Sequence, residues 1–217
     1  MVKLKKSVLS EAFARELLES NEEKIEIQTY IPSAFIRNQV HAAIVGQVIR
    51  DGGWTTEVAV AKYDHLLQEL YRLPLGYQFQ THQFGPFDAK IKKLISSGLW
   101  QNKWFTKRGV MIIFGNNINA LLSKQSNLYR STQAAMRELS ELGITKLDAG
   151  RIELLSTICH SIKETQSIRT YEIRDFMSKW STDNRRTKAD KFSLEQTQKC
   201  LDFIIKNGLH NKLLRVS

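Results

Sequence analysis

Cysteine is scarce in this chain of 217 residues: only Cys159 and Cys200 occur, and their spacing matches neither a zinc site nor a disulfide framework. Both fall among apolar residues in helical patterns, so the sequence predicts buried free thiols in a reducing cytoplasm. Long hydrophobic runs are missing as well. No segment approaches the ~18 apolar residues that a membrane span requires, and no membrane partner is expected. The N-terminus is basic, but Glu11 and Glu16 interrupt the apolar stretch after it, which argues against a signal peptide. The patterns of the common chemistries are also missing. There is no phosphate loop, no glycine-rich dinucleotide fingerprint and no histidine pair at zincin spacing. His41, His65, His82, His160 and His210 are scattered singly. Asp64-His65 and Glu153 read as lone residues, expected at the surface or at helix caps. A nuclease needs acids clustered with a lysine on a sheet, whereas here acids and lysines fall mainly on predicted helices. The expectation is a non-catalytic protein with no cofactor and no metal.

Acidic residues are in the minority. Lys and Arg number 32 against 22 Asp and Glu, for a formal charge of +10 and a pI near 9.6. That balance favours a polyanionic partner, nucleic acid first. The hydrophobic share of 42% is ordinary for a folded chain. The length suffices for one large domain or two small ones, each with a core.

Periodicity predicts a mainly α fold: two winged-helix-like (helix-turn-helix) units with short β-hairpins, preceded by an N-terminal amphipathic helix. Leu4, Val8, Leu9, Ala12, Phe13, Leu17 and Leu18 recur at intervals of three and four. They make residues 1–20 a docking helix, with Leu4, Val8, Phe13 and Leu17 as its partner-binding positions, because so short a helix needs a surface to pack on. Residues 21–33 read as a linker, and 34–115 as the first unit. That unit has helices over Ala34–Arg50 and Glu57–Tyr71, a short basic helix after Asp88, and a hairpin about Lys107-Arg108-Gly109. Residues 117–142 read as a long connecting helix stopped by Gly143, within a connecting segment at 116–143. The second unit, 144–217, opens at a cap on Asp148. It continues through a helix at 170–180 and a mobile basic loop at 181–192 to a capping box at Ser193 and Gln196. The tail from Leu209 on is expected to add a strand.

Residues 76–105 carry the most information. An aromatic run enters Phe84-Gly85-Pro86-Phe87-Asp88, where Pro86 fixes φ and restricts its predecessor. Asp88 is placed to cap a helix carrying Lys90, Lys92 and Lys93. With Lys103, Lys107 and Arg108 on the hairpin, this is a candidate DNA face of the kind a winged helix presents. Its cations would neutralise phosphates. Arg185, Arg186, Lys188 and Lys191 form a second candidate, in the loop. Gln80, His82 and Gln83 read as turn structure rather than as readers of base edges. Phe84, Phe87, Trp100, Trp104 and Phe105 read as core plugs rather than stacking platforms. Trp54, after Gly52-Gly53, stays unassigned.

Three features in order also resemble a known family. The opening, Leu4-Lys5-Lys6-Ser7-Val8-Leu9-Ser10-Glu11-Ala12-Phe13-Ala14-Arg15-Glu16-Leu17, resembles the end of the spacer helix in specificity subunits of type I restriction-modification enzymes. Residues 34–115, with FGPFD and KWF, look like a C-terminal extension of some of those subunits. Residues 151–158 (RIELLSTI) and 194–209 (LEQTQKCLDFIIKNGL) resemble the same extension. Residues 56–98 are also similar to antitoxin-like domains with a Phe-Gly-Pro turn after an aromatic helix. The chain has no room for the two target-recognition domains of a full specificity subunit. The resemblance therefore implies a fragment or stand-alone relative, with no sequence readout carried onto any residue. It implies a cytoplasmic accessory DNA-binding domain of a host-defence system, whose partners are DNA backbone and methyltransferase or other restriction-modification subunits. A homodimer is compatible with it. The alternative is a protein-interaction or antitoxin-like regulatory module that makes no direct DNA contact.

Overall fold

Helix starts are set by side chains that satisfy the free N–H groups of the first turn. The computed structural model describes residues 31–181 and 186–214. Ser33 caps α1 (Ala34–Arg50) by accepting from the Ile36 N–H, and Thr56 caps α2 (Glu57–Tyr71) through Ala59. Both helices are buried over most of their circumference, polar positions included. They are core helices rather than surface stripes.

The chain then runs extended to the Phe-Gly-Pro turn, closed by an antiparallel bridge between Gln80 and Phe87. Asp88 serves two neighbours. One carboxylate oxygen accepts from the Lys90 N–H and starts α3 (Ala89–Ser96), and the other accepts from the Gln78 N–H, both at 2.8 Å. A π-helical turn (Ser97–Gln101) leads into the hairpin of β1 (Phe105–Arg108) and β2 (Met111–Phe114). The strands pair from Phe105 opposite Phe114 to Arg108 opposite Met111, so the tight turn lies at Gly109-Val110, slightly beyond the predicted position. Thr55 tethers the hairpin to the start of α2: its carbonyl accepts from the Ile112 N–H and its hydroxyl donates to the Ile112 carbonyl.

The predicted helix over 117–142 is in fact two, α4 (Ile118–Leu122) and α5 (Asn127–Glu141). The break is held by Gln39 of α1. Its amide donates to the Leu121 and Lys124 carbonyls, each at 2.8 Å, and accepts from the Ser126 N–H at 3.1 Å. Gly143, at φ 73°, ends this stretch as expected, and a 3₁₀ turn (Ile144–Lys146) leads to Asp148. Asp148 caps α6 (Ala149–Thr165), which packs along α2. Then come α7 (Thr170–Lys179), the four-residue α8 (Lys188–Lys191) and α9 (Leu194–Lys206), whose Ser193–Gln196 capping box is formed. The tail is a second 3₁₀ turn (Leu209–Lys212), not a strand. It packs against the end of α2, where Arg72 donates to the Lys212 carbonyl and the Lys212 ammonium stands 4.2 Å above the Tyr71 ring.

The protein is thus mainly helical, and the hairpin is the sole two-stranded sheet among the described residues. One continuous core joins Val40 and Leu66 of the first half to Ile158, Ile204 and Leu213 of the second. Residues from Ile31 on make one compact unit. The N-terminal helix and its partner-binding positions Leu4, Val8, Phe13 and Leu17 lie outside the described residues. No helix among those described is long and apolar enough to cross a membrane.

Candidate nucleic-acid interface

The cationic face rests on α3. Ile91, Leu94 and Ile95 turn inward, leaving Lys90, Lys92 and Lys93 exposed along the other side. The π-turn brings the chain back tightly. A Cβ on Gly98 would stand 2.7 Å from the Phe105 ring and 3.0 Å from the Asn38 amide oxygen, so only glycine lets this turn close on β1. Phe105 is buried, which seats the hairpin and carries Lys103, Lys107 and Arg108 outward. Lys107 reaches Glu57 at 2.5 Å. The six cations predicted for this face are all exposed.

Trp100 corrects the expectation of a core plug, because 72% of its surface is exposed. It lies in a shallow groove of about 400 Å³ with Lys92, Lys93, Ser96, Ser97 and Gln101. Phe84 is exposed as well, whereas Phe87 and Trp104 pack partly buried against the core. A signal for Trp100 existed in the sequence. Lys92, Ser96 and Trp100 follow one another at intervals of four and share a helix side, while the buried positions are 91, 94, 95, 98 and 99. A second signal is charge: no Asp or Glu occurs between Asp88 and Glu138, a stretch that carries every cation of this face. An exposed indole flanked by ammonium groups, hydroxyls and an amide can stack on a base while the lysines meet phosphate.

The second predicted cluster comes apart. Lys188 is fully buried, with its ammonium 2.5 Å from a Glu153 carboxylate oxygen and donating to the Gln83 carbonyl. It is a structural ion pair and does not reach a nucleic acid. Lys191 binds the same carboxylate at 2.8 Å and keeps part of its surface exposed. Arg186 is exposed, and Arg185 lies outside the described residues. Glu153, expected at the surface, is instead the buried anion between two lysines. Lys188 is paired because α8 tucks under the Phe-Gly-Pro turn, a distant contact that the polar composition of 181–192 does not encode. On the other side of that turn the buried Lys62 donates to the Pro86 carbonyl at 2.7 Å. Burial lowers its pKa to about 7, with Glu153 opposing and Lys188 and Lys191 assisting. Gly85, at φ 90°, lies within reach of the Lys62 ammonium and the Thr157 hydroxyl. Gln83 and His82 contribute backbone carbonyls, to Lys188 and to the Trp180 indole N–H, so their main role is turn structure.

The Asp64-His65 pair is buried too, correcting the surface expectation. His41 meets Asp64 at 2.9 Å and Tyr77 at 3.4 Å, inside the core. Burial raises the Asp64 pKa, opposed by His41. His65 meets the Ser156 hydroxyl at 3.0 Å, and its ring lies 5.6 Å from that of His160. Burial pushes the His65 pKa far down and that of His160 to about 4. Cys159 is buried as predicted and Cys200 half-buried, both thiols free and raised in pKa by burial. Among the described residues no three His, Cys, Asp or Glu side chains gather as a metal site would require. No protein-family model matches the chain, and no curated protein matches it.

Proposed function

We propose that this chain is a non-catalytic DNA-binding accessory module that acts within or beside a type I restriction-modification assembly. The observation that carries the DNA reading is the set of six exposed cations on α3 and the hairpin, two of them sharing a groove with the exposed Trp100, with no acid between Asp88 and Glu138. In this reading residues 34–115 work as a winged-helix-like unit, with α3 and the β1–β2 ribbon laid on the duplex. Phosphate contacts supply the affinity, and the face carries little base readout. The assembly assignment rests on the sequence resemblance of residues 4–17, 34–115, 151–158 and 194–209 to specificity subunits.

The test is anisotropy of a labelled random-sequence duplex titrated with the full chain between about 50 and 200 mM salt. Micromolar binding that falls steeply with salt, and weakens when Lys92, Lys93 and Trp100 become alanine, supports the reading. No binding at low salt overturns it.

One observation favours a second reading, a protein-interaction module. α7, α8 and α9 border an open groove with exposed Tyr171 and Leu194 beside Thr170 and Ala189. Such a surface suits a partner segment with an apolar side. Absence of duplex binding together with a stable complex with a methyltransferase subunit would select it.

A further inference from the structure

A small cavity lies between α1, β2 and α5. α1 presents Ala42, Ala43 and Gly46 in sequence toward α5 and β2. These small residues leave a concavity of about 160 Å³, walled by Leu122 and by Phe114. Phe114 packs directly on Gly46, where a Cβ would stand 3.1 Å from the ring. Around the mouth stand Arg50 at the end of α1 and Arg137 on α5, both exposed, with Gln47, Tyr129 and Gln133 deeper.

Three of the polar side chains at the cavity are donors: Arg50, Arg137 and the Tyr129 hydroxyl. Neither guanidinium has an ion-pair partner among the described residues. Of the acids adjacent in sequence, Asp51 beside Arg50 is engaged by the Gln47 amide and the Thr145 hydroxyl, and Glu138 beside Arg137 stands 3.8 Å from the Lys212 ammonium. The Tyr129 hydroxyl accepts from the Gln133 amide at 3.1 Å, which leaves its own proton free to be donated. Burial raises the Tyr129 pKa and Arg50 works against that rise, so the phenol stays protonated at neutral pH with a cation close by. Two arginines on different helices and a tyrosine therefore line one small space. A planar carboxylate would be served by a single fork. Donors arriving from two helices and from the floor match a tetrahedral anion.

We propose that the Arg50–Tyr129–Arg137 cavity binds a phosphate group. Arg50 and Arg137 would each take phosphate oxygens, and Tyr129 would donate to a third. The site needs no part of the α3 face and stands whether or not that face binds DNA. Its phosphate comes either from a duplex backbone or from a small phosphorylated molecule.

Inorganic phosphate is the first probe. The full chain is titrated calorimetrically with phosphate at constant ionic strength set by chloride, alongside Arg50→Gln/Arg137→Gln and Tyr129→Phe. Saturable binding that weakens at least tenfold in the double variant, and several-fold in Tyr129→Phe, is the expected result. No binding by the wild-type chain, or equal binding by all three, overturns the proposal. The substituted arginines are exposed. Circular dichroism and denaturation midpoints in chloride, together with the charge-keeping Arg50→Lys/Arg137→Lys pair, separate lost binding from lost folding. The duplex arm then assigns the source. If the phosphate is a backbone group, Arg50→Gln/Arg137→Gln lowers the salt slope of duplex binding by about one. If the slope is unchanged while phosphate binding is lost, the ligand is a small phosphorylated molecule. Loss of duplex binding in the wild type with phosphate binding intact refutes the DNA reading and leaves the cavity standing.

Discussion

A buried charge is tolerated only while its partner remains, which makes Glu153 a sensitive position. Its carboxylate lies between the fully buried Lys188 and the exposed Lys191. Glu153→Gln would leave the Lys188 ammonium desolvated with the Gln83 carbonyl as its remaining anchor. A loss of about 3–5 kcal/mol in unfolding free energy is expected, measured by denaturant titration. Lys188→Met should lose clearly less, because Glu153 keeps Lys191 and the ammonium is replaced by a side chain of similar shape. Neither change should alter the salt slope of duplex binding, which distinguishes this lysine from those of α3. A loss in Lys188→Met equal to that in Glu153→Gln would show that the pair is held for its charge balance and not for its geometry. Gly85 belongs to the same turn. At φ 90° an alanine is strained, and its methyl would crowd the Lys62 ammonium. Gly85→Ala should therefore destabilise the fold by about 1–3 kcal/mol, read from the shift in thermal midpoint.

Elements here are governed by two kinds of information, local and distant, and only the local kind was legible in the sequence. The bounds of α1 and α2, the Asp88 and Asp148 caps, the Gly143 stop and the Ser193–Gln196 box all depend on residues a few positions apart. The exposed cations of α3 were readable for the same reason: helical spacing alone separates them from Ile91, Leu94 and Ile95. The break between α4 and α5 is different. It is made by Gln39, more than eighty residues earlier in the chain, which replaces helical hydrogen bonds with its own. Lys188 escaped for the same reason, since its partner Glu153 is 35 residues away and on another helix. The tail forms a 3₁₀ segment because Tyr71 and Arg72 hold it at the end of α2. Gln39→Leu tests the break. It keeps the bulk but strands the Leu121 and Lys124 carbonyls and the Ser126 N–H, each of which costs about 1–3 kcal/mol if buried and unpaired. The expected result is a drop of at least about 2 kcal/mol in stability with faster hydrogen exchange at the Ser126 amide. Unchanged exchange there would mean that α4 and α5 are parted by local sequence and not by Gln39.

The whole molecule carries several bases that burial holds neutral, and they push stability upward with pH against the buried acids Asp64, Cys159 and Cys200, whose raised pKa acts the opposite way. Lys62 is lowered to about 7, and the groups that face it are Glu153, Lys188 and Lys191. His160 is lowered to about 4, and His65 is also far down. In the unfolded chain these groups return to the ordinary lysine and histidine range. Wherever the unfolded state binds the extra proton, unfolding free energy rises with pH. His160 places one such rise between about pH 4 and the ordinary histidine value near 6.5, and His65 acts in the same direction. Lys62 places a second between about 7 and the ordinary lysine value of 10.5. The protein should therefore gain stability from neutral pH toward about pH 9.5, where most domains have passed their optimum. Loss of positive charge at high pH acts in the same direction for a chain of formal charge +10, so the wild-type profile alone does not assign the effect. Lys62→Met does. It removes the titrating group and keeps the buried stem, so the rise above pH 7 should flatten while the acid limb from His65 and His160 persists. A variant whose alkaline rise matches that of the wild type would remove Lys62 as its source and leave Lys188, whose pKa burial also lowers, and net charge to account for it.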